Sequence, residues 1–126
     1  MADSGLSEPL RQLVNHHLLT MDHVALLLAL REQPEIAHAS ASLADRVRLD
    51  RSVADRVLQD LVASRLARQE GDTFIYAAAP QVRPVVDELA EMNRTRPVTL
   101  VRAIYDRPSR AALSFADAFR LRKPGE

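Results

Sequence analysis

The chain has 126 residues, 17 Lys and Arg against 17 Asp and Glu, a formal net charge of zero, 47% hydrophobic and 4% aromatic residues, and neither Cys nor Trp. Such a length fits one domain with a modest core, and the balance is that of a soluble globular protein. The lack of cysteine excludes disulfides, thiolate metal sites and cysteine nucleophiles, and it fits a reducing cytoplasm.

The opening stretch MADSGLSEPL is acidic and has no basic n-region, so no secretory signal is expected. The longest apolar run, Val24 to Leu30, is far too short to span a bilayer. No membrane partner is expected, and the expected location is cytoplasmic.

The first helix is predicted over SEPLRQLVNHHL, with Ser7 as N-cap, Glu8 at the positive end of the helix dipole and Pro9 in the first turn. Leu6, Leu10, Leu13, Val14 and Leu18 form its apolar stripe. The second helix, MDHVALLLALRE, is capped by Thr20 and ends before Pro34. Val24, Leu27, Leu28 and Leu30 make it apolar on most sides, the mark of the most buried helix. A short third helix is expected in SLADRVR. Ser42 and Asp45 match a capping box, and Leu43, Ala44 and Val47 lie on one side. The fourth helix is capped by Asp50, and its apolar face is Val53, Val57, Leu58, Leu61 and Leu66. So tight a connection between two helices predicts a helix-turn-helix.

A two-stranded hairpin follows, from Ala67 to Glu70 and from Thr73 to Ala77 across a Gly71-Asp72 turn. Phe74 and Tyr76 share one face and Ile75 takes the other. Beyond Pro80, a long apolar stripe starts with Val82, Val85, Val86, Leu89 and Met92 and resumes with Val98, Leu100, Val101, Ile104 and Tyr105. Pro97 should break this segment near Arg96, while Pro84 is tolerated in a first turn. A last amphipathic piece contains Phe115 and Phe119 at helical spacing.

Charge is unevenly spread. Residues 1–41 hold two Arg against five acids, 42–70 six Arg against five acids, 71–93 one Arg against four acids, and 94–123 eight Arg and Lys against two Asp. The basic last quarter, from Arg94 to Lys123, either contacts phosphate, answers the acidic segments of the same protein, or meets an acidic partner.

Catalysis finds no support. His16, His17, His23 and His38 are the only histidines, and none has partners at metal-ligand spacing. Three widely separated glycines cannot build a phosphate-cradling loop. No triad or paired-carboxylate context is recognisable, so no enzyme, metal or cofactor is expected.

The order helix, helix, short helix, tight turn, longer helix, hairpin, long helix resembles the winged helix-turn-helix of bacterial transcription regulators of the MarR-like and ArsR-like kind. The resemblance covers about residues 21–79, the expected winged-helix core of a mainly α single domain spanning 1–126. It rests on order, spacing and apolar pattern. It implies that the fourth helix is a recognition helix whose DNA-facing residues are Arg51, Ser52, Asp55, Arg56 and Gln59. Arg46, Arg48, Arg65 and, in the wing, Arg68 would meet the DNA backbone. The segment 80–107 would be a dimerisation element using Val85, Leu89, Met92, Val101 and Ile104; the competing expectation is that the same stripe packs back on Leu10, Val14 and Leu18. The segment 108–126, with Phe115 and Phe119, would be a basic amphipathic contact for another protein. The expected function is a dimeric winged-helix DNA-binding regulator, and the alternative is a winged-helix adaptor that binds protein. Against DNA stand the acids Asp45, Asp50, Asp55 and Asp60, dispersed among the arginines, and the acidic hairpin tip of Glu70 and Asp72.

Overall fold

A computed structural model of the chain describes residues 6–105. The elements are α1 (Glu8–His17), α2 (Met21–Glu32), β1 (His38–Ala39), α3 (Ser40–Val47), α4 (Arg51–Ala63), β2 (Ala67–Glu70), β3 (Thr73–Tyr76), α5 (Arg83–Thr95) and α6 (Pro97–Tyr105). Phe115, Phe119 and the basic segment 108–126 lie outside the described residues.

Helix α1 starts as its sequence predicts. The Ser7 hydroxyl accepts the Leu10 N–H at 3.3 Å and donates to Glu88 Oε1 of α5 at 2.7 Å. One side chain thus caps α1 and ties it to α5. Thr20 caps α2 in a similar double role, accepting the His23 N–H while its hydroxyl meets His23 Nδ1 at 2.9 Å. The other imidazole nitrogen, Nε2, lies 2.9 Å from Asp60 Oδ2 on α4. His23 is buried. Both ring nitrogens thus have partners, and the contact with Asp60 anchors the start of α2 to α4.

Helices α2, α3 and α4 pack on one another and on the sheet, while α5 and α6 pack on α1. Leu26, Leu27, Leu30, Leu43, Leu58 and Leu61 are fully buried, and Leu10, Leu18, Leu89 and Leu100 belong to the same continuous core. Leu28, expected inside, is only half-buried at its edge.

The sheet has three strands in the order β1-β3-β2, all antiparallel neighbours. The hairpin turns at Gly71-Asp72 as expected and pairs Ala67 with Tyr76 and Glu70 with Thr73; its second strand ends at Tyr76, one residue before the expected Ala77, and Phe74 and Tyr76 are buried together. Gly71 takes the left-handed conformation at the turn, φ +62°, which glycine adopts without penalty. The third strand, β1, has no counterpart among the elements expected from the sequence. It is two residues long, and it exists because His38 and Ala39 pair with Phe74 and Thr73.

That pairing also moves the start of α3. The helix begins at Ser40 with Ala39 at the N-cap and no side-chain cap, so Ser42 lies inside the helix and its match to a capping box has no capping role. The strand, fixed by its β3 partner, decides where the helix starts. Asp50 does occupy the N-cap of α4, but its side chain makes no cap hydrogen bond. Its carboxylate still complements the positive end of the helix dipole. Pro97 breaks the C-terminal stripe as expected, with α5 ending at Thr95 and α6 beginning at Pro97. Among the described residues no single helix is long and apolar enough to cross a membrane.

His38 is buried in β1, and its Nε2 has no hydrogen-bond partner. Burial, then the nearby Arg46 charge, hold its pKa below the ordinary 6.5. The unfolded chain therefore binds this proton more readily, and stability falls as pH drops below about 6.5. Thermal melts between pH 7.5 and 5 should show this loss, reduced in His38→Leu. An equal loss in the variant would assign the effect to other groups.

Candidate nucleic-acid interface

The turn from α3 into α4 is closed by backbone geometry. Arg48 adopts a left-handed conformation, φ 62° and ψ 48°, and Leu49 N–H reaches Ala44 O at 2.9 Å. The end of α4 repeats the device: Arg65 has φ 63°, and Leu66 N–H reaches Leu61 O at 2.9 Å. Both are helix-terminating turns usually given to glycine. A side chain there costs about 1–2 kcal/mol. Each turn instead carries an exposed guanidinium, so that an arginine flanks α4 at either end.

Helix α4 turns Ala54, Val57, Leu58 and Leu61 into the core. Its other side leaves Arg51, Ser52, Asp55, Arg56 and Gln59 all exposed, the five residues expected from the sequence. Three of them, Arg51, Asp55 and Gln59, form one wall of a groove of about 540 Å³, whose other wall holds Gln69 and Asp72 of the wing. Ser52 and Arg56 lie outside this groove on the same helix. Among the described residues, Arg51, Arg56, Arg48 and Arg65 have no ion pair.

Three of the residues expected to meet DNA are already engaged within the protein. Gln59 Nε2 donates to Gln69 Oε1 at 3.0 Å, and Gln69 Nε2 donates to Gly71 O at 3.1 Å. Helix α4 is therefore linked to the tip of the hairpin through two amides. Arg68 donates twice to Glu70 Oε2, from Nε at 2.9 Å and from Nη2 at 2.6 Å. Arg46 points toward the end of α2, where Nη2 donates to Gln33 Oε1 at 3.4 Å and Nη1 lies 3.7 Å from Glu32. Gln69 is not among the residues that sequence reasoning singles out. Its role depends on strand register, which no local pattern encodes.

At the base of the wing, the buried Tyr76 hydroxyl has no hydrogen-bond partner, and the Arg83 guanidinium lies 5.3 Å above its ring. Burial and the Asp87 charge push this phenol above its usual pKa.

The C-terminal stripe divides. Leu89, Met92 and Ile104 are buried within the single chain, in the same core as Leu10, Val14 and Leu18, and Val85 is half-buried beside them. Only Val101 of the five expected interface residues is exposed, and it shares α6 with Val98 and Tyr105, which are 65% and 57% exposed. Among the described residues no group of three His, Cys, Asp or Glu is arranged to hold a metal.

No protein-family model and no curated protein matches the chain. Its structure is similar to that of a MarR family transcriptional regulator from Silicibacter pomeroyi DSS-3, at TM-score 0.53 and 17% identity, covering 89% of this chain and 80% of that one. A second MarR family transcriptional regulator from Silicibacter pomeroyi is similar at TM-score 0.52 and 18% identity, covering 94% and 83%. At these identities the likeness is one of architecture: this chain has the winged-helix fold, six helices with a small three-stranded sheet, in which α4 is the second helix of the helix-turn-helix and β2–β3 is the wing.

Proposed function

We propose that this protein is a winged-helix DNA-binding regulator of transcription that reads duplex DNA with the exposed face of α4. The observation that carries this is the set of arginines around α4. Arg51 and Arg56 on the helix, with Arg48 and Arg65 at its ends, are exposed and have no ion pair among the described residues. The two flanking arginines stand where glycine would be less strained. Such a placement suits phosphate contacts on either side of a helix lying in the major groove. The similarity to two MarR family transcriptional regulators supports the same reading.

The wing's part differs from what the resemblance implies. Arg68 is neutralised by Glu70, and Asp72 sits at the tip, so the wing adds little attraction for phosphate. Its contribution is shape, holding one wall of the groove at a set distance from α4. Binding to duplex DNA should weaken steeply with salt, with a log–log slope set by the few arginines that meet phosphate. Titrating a genomic fragment library by fluorescence anisotropy at two or more salt concentrations tests this. Absence of binding at low salt would overturn it.

We further propose that the active form is a homodimer joined through the exposed α6 face of Val98, Val101 and Tyr105. A two-fold dimer would present two α4 helices to successive half-sites about 34 Å apart. Val101→Glu should shift the mass in light scattering from two chains to one. A wild-type mass of one chain would refute the dimer.

A further inference from the structure

We propose that Asp55 reads cytosine, and that Arg51 and Asp55 together recognise one C·G base pair in each half-site. The proposal rests on the DNA-binding reading of α4 and adds a base identity to it.

The five exposed residues of α4 are not equivalent. Gln59 is committed to the wing through Gln69. Asp60, the other acid of α4, is bound by the buried His23. Asp50, just before the helix, complements the dipole. Asp55 serves no such internal role. It is exposed, and among the described residues it has neither an ion pair nor a hydrogen bond to its side chain. Yet it stands between two cationic residues on the face that would meet a polyanion. There a carboxylate lowers the affinity for every sequence alike. Its chemistry becomes favourable only where a base edge offers a donor.

In the major groove cytosine presents its N4 amino group with no acceptor on the same base edge, whereas adenine sets its amino group beside the N7 acceptor. Guanine and thymine offer a carboxylate no major-groove donor. Asp55 therefore selects cytosine. The guanine paired to it presents O6 and N7, the acceptors that a guanidinium bridges. Arg51 lies one helical turn before Asp55, and both line the same groove toward the wing. One side chain is thus placed for each base of the pair.

The test is selection from a pool of random duplexes with the full chain, followed by anisotropy titrations against sites carrying each of the four base pairs at the selected position. The wild type should prefer C·G there by about tenfold. Asp55→Ala should reduce that preference to about twofold or less, by binding duplexes with the other base pairs severalfold more tightly at low salt while leaving the C·G duplex nearly unchanged. Asp55→Asn should move the preference toward A·T, because an amide bridges adenine N6 and N7. Thermal melts matching the wild type show that both variants are folded. Tighter binding by Asp55→Ala with an unchanged base profile would overturn the proposal and leave DNA binding standing. A wild type that binds no duplex at low salt would overturn both.

Discussion

Replacing Arg56 with alanine is expected to weaken binding to a wild-type-selected duplex by about 5- to 150-fold, the equivalent of about 1–3 kcal/mol for removing a base or phosphate interaction in the groove. Arg56 is exposed on α4 and has no ion pair among the described residues, so its removal should leave the fold intact. The salt dependence distinguishes its roles. If Arg56 meets a phosphate, the variant's slope of log K against log salt should fall by about one, uniformly across sequences. If it meets a base edge, the slope should stay nearly unchanged and preference should relax at one position. Arg94→Ala is the control, because that residue lies on α5 and is paired with Glu91. Equal losses in the two variants would mean that general charge, not the α4 face, drives association.

Leu89→Ala is expected to destabilise the fold by about 2–5 kcal/mol, the range for truncating a fully buried leucine. Leu89 is completely buried in the single chain, in the core shared by α1, α5 and α6. The loss should therefore be the same at every protein concentration in urea denaturation. A loss that grows on dilution would instead place Leu89 between two chains, as the apolar stripe by itself allows. Val101→Glu gives the complementary result, since Val101 is exposed and its substitution should change mass more than stability.

The parts of this protein that depend on neighbours along the chain are legible in the sequence. Ser7 and Thr20 mark helix starts because their hydroxyls meet backbone N–H groups three residues on. Pro97 ends α5 because its ring cannot continue the ladder. Gly71-Asp72 marks the hairpin turn, and the alternation of Phe74 and Tyr76 predicts which side of it is buried. The exposed face of α4 follows from the same logic: once Ala54, Val57, Leu58 and Leu61 turn inward, Arg51, Asp55, Arg56 and Gln59 must turn outward.

What tertiary structure alone decided are the pairings between distant residues. A two-residue strand has no period to detect, and His38–Ala39 becomes β1 only because β3 supplies its partner. That contact also overrode the local signal at Ser42. An apolar stripe on α5 and α6 says that something covers it. Only the packing of α1 shows that Leu89, Met92 and Ile104 are covered within one chain, leaving the stripe of Val98, Val101 and Tyr105 open. Charges behave likewise. Counted along the sequence, Arg68 and Arg56 are the same cation. In space one is held by Glu70 and the other faces solvent. Periodicity determines which way a side chain points, because it follows from backbone geometry; what it meets depends on contacts that close long loops, and those the sequence encodes only collectively.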